Sequence, residues 1–422
     1  MIDFELSAGT KMTKKLFHQF VDSSFRPLSR EFDEEEHKDP ADLIHSIHEL
    51  MKGGGMRGMG SMAGGGEEGA EKKEGKPKRP KEQNLMGVIL AEELFWGDAG
   101  LALAMPGPGL GGAAVQATGT PEQKERIMKR FTGDVPAYGA MAITEPGCGS
   151  DTSAVSTTAT LDKKTNEWIL NGEKIFVTMG KRATETYDGF VVVWATVDRK
   201  AGRAGIKPFI VEKGTPGMKV TKLEHKMGIR ASDTASMVFE DCRIPYNNIL
   251  GTAEVAVDKE KTEGFKGVMK TFDATRPFVA AMAIGVARAA YDFVRETLDQ
   301  EGIQIRYGAP INQLTVLEQD VLEMEVNMKA ARLLLWRAAW MLDRGEKNNL
   351  EASMSKAKAG MVGTKVTQKA VEILGPLGYS RKLLVEKFMR DAKINDIFEG
   401  TGQIQLLVIA RNILGYTRKE LK

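Results

Sequence analysis

A chain of 422 residues is too long for one small core, so two or three domains are expected. With 42% apolar and 27% charged residues it has the composition of a globular protein, and 59 basic against 57 acidic residues (net charge +2) give no reason to expect a nucleic-acid partner. Two cysteines, Cys148 and Cys242, exclude a disulfide framework and a cysteine-ligated zinc site; with no apolar run resembling a signal peptide or a membrane span, a soluble cytoplasmic protein is expected.

Residues 1–135 read as helical. "DPADLIHSIHEL" spaces Leu43, Ile44, Ile47 and Leu50 at helical intervals, and "LMGVILAEELFWGDAGLALAM" continues in the same manner. Between them, residues 52–84 are rich in Gly, Met, charge and Pro and contain no face to bury, so they read as a flexible insertion. Its short basic run "KPKRPK" is expected to be solvated. "GPGLGG", Gly107 to Gly112, matches a dinucleotide-binding pattern, but no strand precedes it; its small residues read instead as room for a neighbouring molecule. "TPEQKERIMKRF" opens on a Thr cap. "HSIHE" has neither spacing of a zinc protease helix, and no metal site is expected.

Residues 136–250 read as a β domain. "EWILNGEKIFVTMG" carries Asn171-Gly172 between two apolar runs, a hairpin signal that Phe176 to Gly180 would close. In "AITEPGCGSD", two glycines and a proline expose backbone, and Thr144 and Ser150 add hydroxyls; the loop either presents N–H groups to a phosphate or ring edge or is an ordinary turn. Phe176 is read as core packing or as a surface for a flat cofactor.

From residue 251 to 422 the pattern is helical again, in four long segments. "TFDATRPFVAA" sets Asp273 and Arg276 three apart, and Pro277 indicates the first turn of its helix, where free N–H groups suit an anionic or amide-rich ligand. In "NDIFEGTGQ", Glu399 lies next to Phe398 and Ile397, which would remove water from it and raise its pKa toward that of a working base. Gly400 would let a ligand approach the backbone donors beside it, an arrangement suited to removing a proton next to a carbonyl.

Five motifs in order, "AITEPGCGSD", "LNGEKIFVTMG", "KMGIRASDT", "TFDATRPFVAA" and "MRDAKINDIFEGTGQIQ", resemble those of the acyl-CoA dehydrogenases across all but residues 52–84. The resemblance implies an α+β multidomain fold: an N-terminal helical domain, a central β-barrel-like domain and a C-terminal four-helix bundle, with FAD between the β domain and the bundle of a neighbouring subunit. It implies that Glu399 takes the α-proton of an acyl-CoA while the β-hydride passes to flavin N5, the thioester oxygen being held by the Glu399 N–H and a ribityl hydroxyl. For FAD it implies contacts from Met141, Ile143, Thr144, Gly149, Ser150, Phe176 and Thr178, and at the nucleotide end from Thr401, Gln403, Arg306, Tyr307, Glu372 and Gly375. For the thioester it implies Ser150, Phe272, Asp273, Arg276, Phe398 and Gly400, with Leu103, Pro106 and Leu110 as the floor of a roomy acyl pocket. Electron-transferring flavoprotein is the implied acceptor, and a homotetramer the implied assembly.

The chain departs from the family at "QIRYG" and "EILGPLG": Gln304 stands where an arginine usually reaches the partner's FAD, with Arg306 as the candidate substitute, and Glu372 and Pro376 replace a Gln and a Gly. These departures keep open a heteromer or a non-catalytic partner subunit. A flavin oxidase or monooxygenase is the other alternative, disfavoured by Glu399 and the length.

Overall fold

The computed structural model describes residues 5–52, 82–255, 263–417 and 420, without the side chains of 263–271 and 273. Most of the expected insertion, with "KPKRPK", therefore lies outside the described residues.

The N-terminal part is helical: α1 (Ala8–Ser24), α2 (Ser29–Glu34), α3 (Ala41–Lys52), α4 (Gln83–Gly97), α5 (Ala99–Ala104), α6 (Gly109–Thr118) and α7 (Pro121–Met128). From Gly87 to Gly97 every residue of α4 is buried, including Glu92 and Glu93. A helix apolar on all faces belongs in a core, and its carboxylates are tolerable there because each is paired. Glu92 accepts from Arg332 at 2.8 Å and Glu93 from Arg288 at 2.7 Å, which ties this domain to the C-terminal helices.

The β domain is one curled seven-stranded sheet of β1 (Ala137–Ala142), β2 (Thr158–Asp162), β3 (Glu167–Thr178), β4 (Asp188–Thr196), β5 (Ile206–Glu212), β6 (Met218–Leu223) and β7 (Thr234–Pro245). Its order is β1-β4-β2-β3-β7-β6, with β5 on β4. Asn171-Gly172 does not turn a hairpin. It lies inside β3, at a register shift against β7, with Gly172 at φ 152°. A β-carbon at Gly172 would sit 2.5 Å from the Thr157 hydroxyl, so this glycine serves a bulge and a close approach. The hairpin turn falls earlier, between Asp162 and Glu167, with Asn166 at φ 55°.

The C-terminal domain packs α8 (Glu263–Gln300) against α9 (Val316–Asp343), α10 (Asn349–Tyr379) and α11 (Val385–Ala392), and α12 (Gly402–Leu414) lies on α10. The fourth expected long segment is thus broken into two short helices, and the break contains Glu399. The stretch Ala274–Gln300 is long and apolar enough to cross a membrane, but 78% of its most apolar window is buried inside the protein. Pro277 does not mark a first turn either: α8 begins at Glu263, and Pro277 sits in its interior. The order helices, sheet, bundle is the one expected from the sequence.

The glycines of "GPGLGG" also have a different use from the one expected. Gly107 bridges to Tyr138, and a β-carbon at Gly111 would lie 2.5 Å from the Ala140 carbonyl oxygen. Gly109 and Gly111 let α6 press onto β1, and Gly112 makes room for Pro108. Gly111→Val should accordingly destabilise the protein by about 1–3 kcal/mol, the usual cost of overpacking, measured as a lowered urea midpoint.

Candidate active site

Glu399 stands in the break between α11 and α12. A 3-10 turn, Lys393–Asp396, follows α11, and the Thr401 hydroxyl caps α12 by accepting the Ile404 N–H at 3.2 Å. Between these ends the chain reverses through two left-handed residues, Glu399 at φ 51° and Gly400 at φ 91°. A non-glycine residue held there costs about 1–3 kcal/mol and persists only where the surroundings enforce it. The enforcing contacts meet at the Gly400 carbonyl, which accepts from Lys356 Nζ at 2.5 Å and from Gln405 Nε2 at 3.1 Å. A β-carbon on Gly400 would lie 2.5 Å from the same Gln405 amide. Gly400 therefore makes room for the protein's own clamp.

The Glu399 residue keeps some open surface, but its carboxyl group is enclosed by protein, and that burial raises its pKa above the ordinary value. The opposing influences are a hydrogen bond from Thr275 Oγ1 to Glu399 Oε2 at 2.7 Å, then the charges of Lys356 and Arg276. Lys356, itself buried, is pushed down to about 8 by the same loss of water, against the attraction of Glu399 and Asp396. Ile397 does not help to shield the carboxyl, because it is half exposed at 50%. Phe398 is partly buried and remains the aromatic neighbour. Thr275 and Arg276 reach the site from the interior of α8, both buried. The side chain of Asp273 lies outside the described residues. Phe272 packs with Leu110 and Ile143 against one apolar cluster that includes Met141, which joins α8, α6 and the end of β1. Leu103, in α5, is partly buried, and Pro106, between α5 and α6, is buried.

On the sheet side, Ile175 N–H donates to the Thr144 carbonyl at 2.9 Å, drawing the loop after β1 onto β3. A second register shift, between Lys174 and Val177, puts Phe176 at φ 57° and turns its ring out of the core, 60% exposed. Thr144 and Thr178 are half-buried nearby in the chain, and Gly149 and Ser150 are exposed. The loop is anchored by Glu145, whose carboxylate accepts from Ser156, Thr157 and the buried Lys174, the last at 2.7 Å.

Three family models match this chain: acyl-CoA dehydrogenase N-terminal domain over residues 7–133, middle domain over 140–242 and C-terminal domain over 262–414. The acryloyl-CoA reductase (NADH) of Anaerotignum propionicum is 36% identical over 98% of this chain and 96% of its own. The chain belongs to the acyl-CoA dehydrogenase family. Among solved structures, butyryl-CoA dehydrogenase of Megasphaera elsdenii superposes with a TM-score of 0.80 at 32% identity, covering 98% of this chain and all of that one. A chain from the structure described as the electron transferring flavoprotein of Acidaminococcus fermentans gives 0.81 at 32% identity, with coverage of 98% and 100%.

Acyl-CoA dehydrogenases are flavoproteins and oxidoreductases acting on CH–CH bonds. The sheet side of this chain fits a flavin: an exposed phenyl ring at a strand bulge, with Thr hydroxyls and a glycine-rich loop beside it, is what a flat ring with a polar edge would cover. The residues expected at the nucleotide end are divided. Thr401 is the cap of α12 and Gln403 is exposed in its first turn. Arg306 and Tyr307, in the loop after α8, bond to α9, and Glu372 and Gly375 lie toward the end of α10. Arg306, the candidate substitute for the arginine replaced at Gln304, is paired with Glu318, its Nε and Nη2 each reaching that carboxylate at 2.7 Å. Tyr307 donates to Glu325 at 2.9 Å, and Glu372 pairs with Lys369 at 2.8 Å, which also faces Asp320. Gly375 takes a left-handed φ of 54° just before Pro376 and bends α10 there.

A surface cleft of about 470 Å³ lies between α7 and the segment after β7, lined by Thr120, Gln123, Arg126 and Tyr246 among others; none of the site residues borders it. Glu36, His37 and His225 bring potential metal-ligand atoms within 4.8 Å of one another. The Glu36 carboxylate is already bonded by His225 at 2.9 Å and by the Lys226 N–H at 2.8 Å, so no metal is assigned there.

Sequence reading passed over Thr275, Lys356, Gln405 and Glu145. The first had a signal, since it stands three residues after Phe272 and so on the same helix face. The buried Glu145–Lys174 pair gives a direct test. Glu145 is held down to about 2 despite burial, by Lys174 first and then the Ser156 and Thr157 hydroxyls. Its contribution is present above the unfolded carboxylate value and is lost as pH falls from there toward 2. Glu145→Gln leaves Lys174 buried without its counter-charge and should cost about 3–5 kcal/mol in urea unfolding at neutral pH, with a smaller deficit against wild type in acid.

Proposed function

We propose that this chain catalyses α,β-dehydrogenation of an acyl-CoA thioester to the 2-enoyl-CoA, with Glu399 as the base that removes the α-proton. The observation that carries the reading is the enclosed Glu399 carboxyl on a strained turn, with a single hydroxyl donor and two cations facing it. Burial makes it a stronger base than an exposed carboxylate, while Thr275, Lys356 and Arg276 keep it ionised enough to act near neutrality. The Glu399 N–H is placed by the same turn and would hold the thioester oxygen, acidifying the α-carbon. FAD, when bound, supplies the acceptor for the β-hydride, and would be held by Thr144, Phe176 and Thr178 with Met141, Ile143, Gly149 and Ser150 around them. Phe272, Arg276 and Phe398 would position the thioester, and Leu103, Pro106 and Leu110 the acyl end.

A short acyl group is favoured, because Gly109 and Gly111 of α6 lie against β1 and because two relatives are named for butyryl- and acryloyl-CoA. The reductase name of one relative supports the reverse direction as a second reading: a protonated Glu399 would return the same proton to an enoyl thioester. We also propose electron-transferring flavoprotein as the redox partner, supported by the similar chain in a structure so described. A homotetramer is supported by exposed apolar side chains along the bundle, among them Val326, Leu333, Met361, Leu406 and Leu414.

Glu399→Gln should lower the anaerobic rate of flavin bleaching by butyryl-CoA by about 10²–10⁴-fold, the usual contribution of a general base, with FAD content and thioester affinity retained. An unchanged rate would remove Glu399 from the reaction. Because only the ionised carboxylate accepts the proton, the wild-type rate should fall as pH drops through the raised Glu399 value, at a higher pH than for an ordinary glutamate, and Thr275→Ala should move that limb further up.

A further inference from the structure

We infer that Lys356 is a positioning residue for the base: from α10 its ammonium group clamps the Gly400 carbonyl, holds Glu399 in its left-handed turn and sets a fixed cation beside the reacting carboxyl. The inference rests on Glu399 being the base.

Lys356 is 1% exposed, and its Nζ donates to Gly400 O at 2.5 Å. A buried ammonium is costly and is ordinarily repaid by a carboxylate in contact. Here, among the described residues, no carboxylate oxygen lies within 4.0 Å of Nζ. An aliphatic side chain would pack this position without the desolvation cost, so structural stability alone does not account for a lysine. What the lysine does provide is the stronger of two hydrogen bonds converging on one peptide oxygen, the other coming from the fully buried Gln405. That oxygen belongs to the residue directly after Glu399, within the only two consecutive left-handed residues of the break. Holding it fixes the direction of both the carboxyl and the N–H of Glu399.

The charge has a separate effect. The groups facing the Glu399 carboxyl are Thr275 and Arg276 from α8 and Lys356 from α10, with Asp396 of the same turn facing Lys356. Lys356 and Arg276 are thus the two cations that oppose the effect of burial on the base. Losing one of them should make Glu399 harder to ionise, and its acid limb should move to higher pH.

Two substitutions separate the clamp from the charge. Lys356→Gln keeps a donor for Gly400 O without the charge, whereas Lys356→Met keeps neither. In FAD-loaded enzyme, single-turnover flavin bleaching would be followed against pH, together with thioester affinity and thermal midpoint. Both variants should show the acid limb moved up. Lys356→Met should in addition lose about 100-fold in the plateau rate, as expected when a reacting group is displaced by about 1 Å, with thioester affinity little changed. Lys356→Gln should keep most of the plateau. An acid limb and plateau equal to wild type, with only the thermal midpoint lowered, would make Lys356 purely structural and overturn the inference. If Lys356→Met does not fold, the limb of Lys356→Gln decides the question. Glu399→Gln is the control for the underlying reading: a wild-type rate there overturns both, whereas an inactive Glu399→Gln beside Lys356 variants with the wild-type limb and plateau overturns the inference about Lys356 alone.

Discussion

The site depends on one buried ionic knot. Lys387, on α11, donates at 2.6 Å to both Asp98 and Asp391, and all three side chains are almost wholly buried. Asp98 is the cap that separates α4 from α5, and Asp391 also accepts the Ile229 N–H from the β domain at 2.6 Å. One ammonium group therefore joins the N-terminal helices, the sheet and the bundle. Desolvation works against every member, and the knot holds because each charge is met by an opposite one or by a backbone donor. Its arrangement requires close contact: a β-carbon on Gly228 would lie 2.5 Å from the backbone of Arg390. The charged residues of "MRDAKIND" that precede the base are thus largely structural, and their consequence is that α11 ends at a fixed place with respect to α8 and the sheet.

Everything specific to Glu399 follows from where α11 stops. The helix cannot simply continue, because the left-handed pair at Glu399 and Gly400 turns the chain back into α12. That reversal brings the carboxyl toward Thr275 and Arg276 on α8 and brings the next carbonyl onto Lys356 of α10. A rigid frame thus holds a locally unfavourable conformation, which is the usual relation between a scaffold and a strained functional residue. The two opposing influences on the carboxyl, burial and cations, come from the same packing. Moving the turn would alter both together.

The sequence made the domain order legible, because period and composition change sharply near residue 136 and again after residue 250. It singled out Glu399, Thr144 and Phe176 through motifs, and the structure gives the first an enclosed carboxyl and the last an exposed ring. It misled where a local signal has two physical uses. Asn-Gly is a hairpin signal, yet Thr157 packed against Gly172 makes it a bulge in a continuous strand. Proline favours a first turn, yet Pro277 lies inside α8. Among the small residues from Gly107 to Gly112, which looked like space for a neighbouring molecule, Gly109 and Gly111 are contact points for β1. Ile397, adjacent to the base in sequence, points away from the core because the chain reverses there. Lys356 and Gln405 were invisible for a simpler reason. Their roles come from meeting one carbonyl oxygen, and no periodicity records a convergence between a residue on α10 and a turn 44 residues later.

The opposite end of the bundle shows how charge can be present yet unavailable. Arg306 is the cation that sequence alone would offer to a diphosphate near Gln304, but it is bonded to Glu318, the residue that also closes the capping box at the start of α9. Releasing the guanidinium would leave Glu318, a buried glutamate, with Thr315 as its hydrogen-bond partner but without a counter-charge in contact. Lys369 is likewise shared between Glu372 and Asp320. At this end the positive groups neutralise acids of their own chain, while at Glu399 two cations face a carboxyl that burial already disfavours as an anion. The same residue types therefore serve opposite purposes in one bundle. What separates them is how the acid is bonded: Glu318 accepts from Arg306 and Thr315 at both carboxylate oxygens, whereas the Glu399 carboxyl accepts from Thr275 at Oε2.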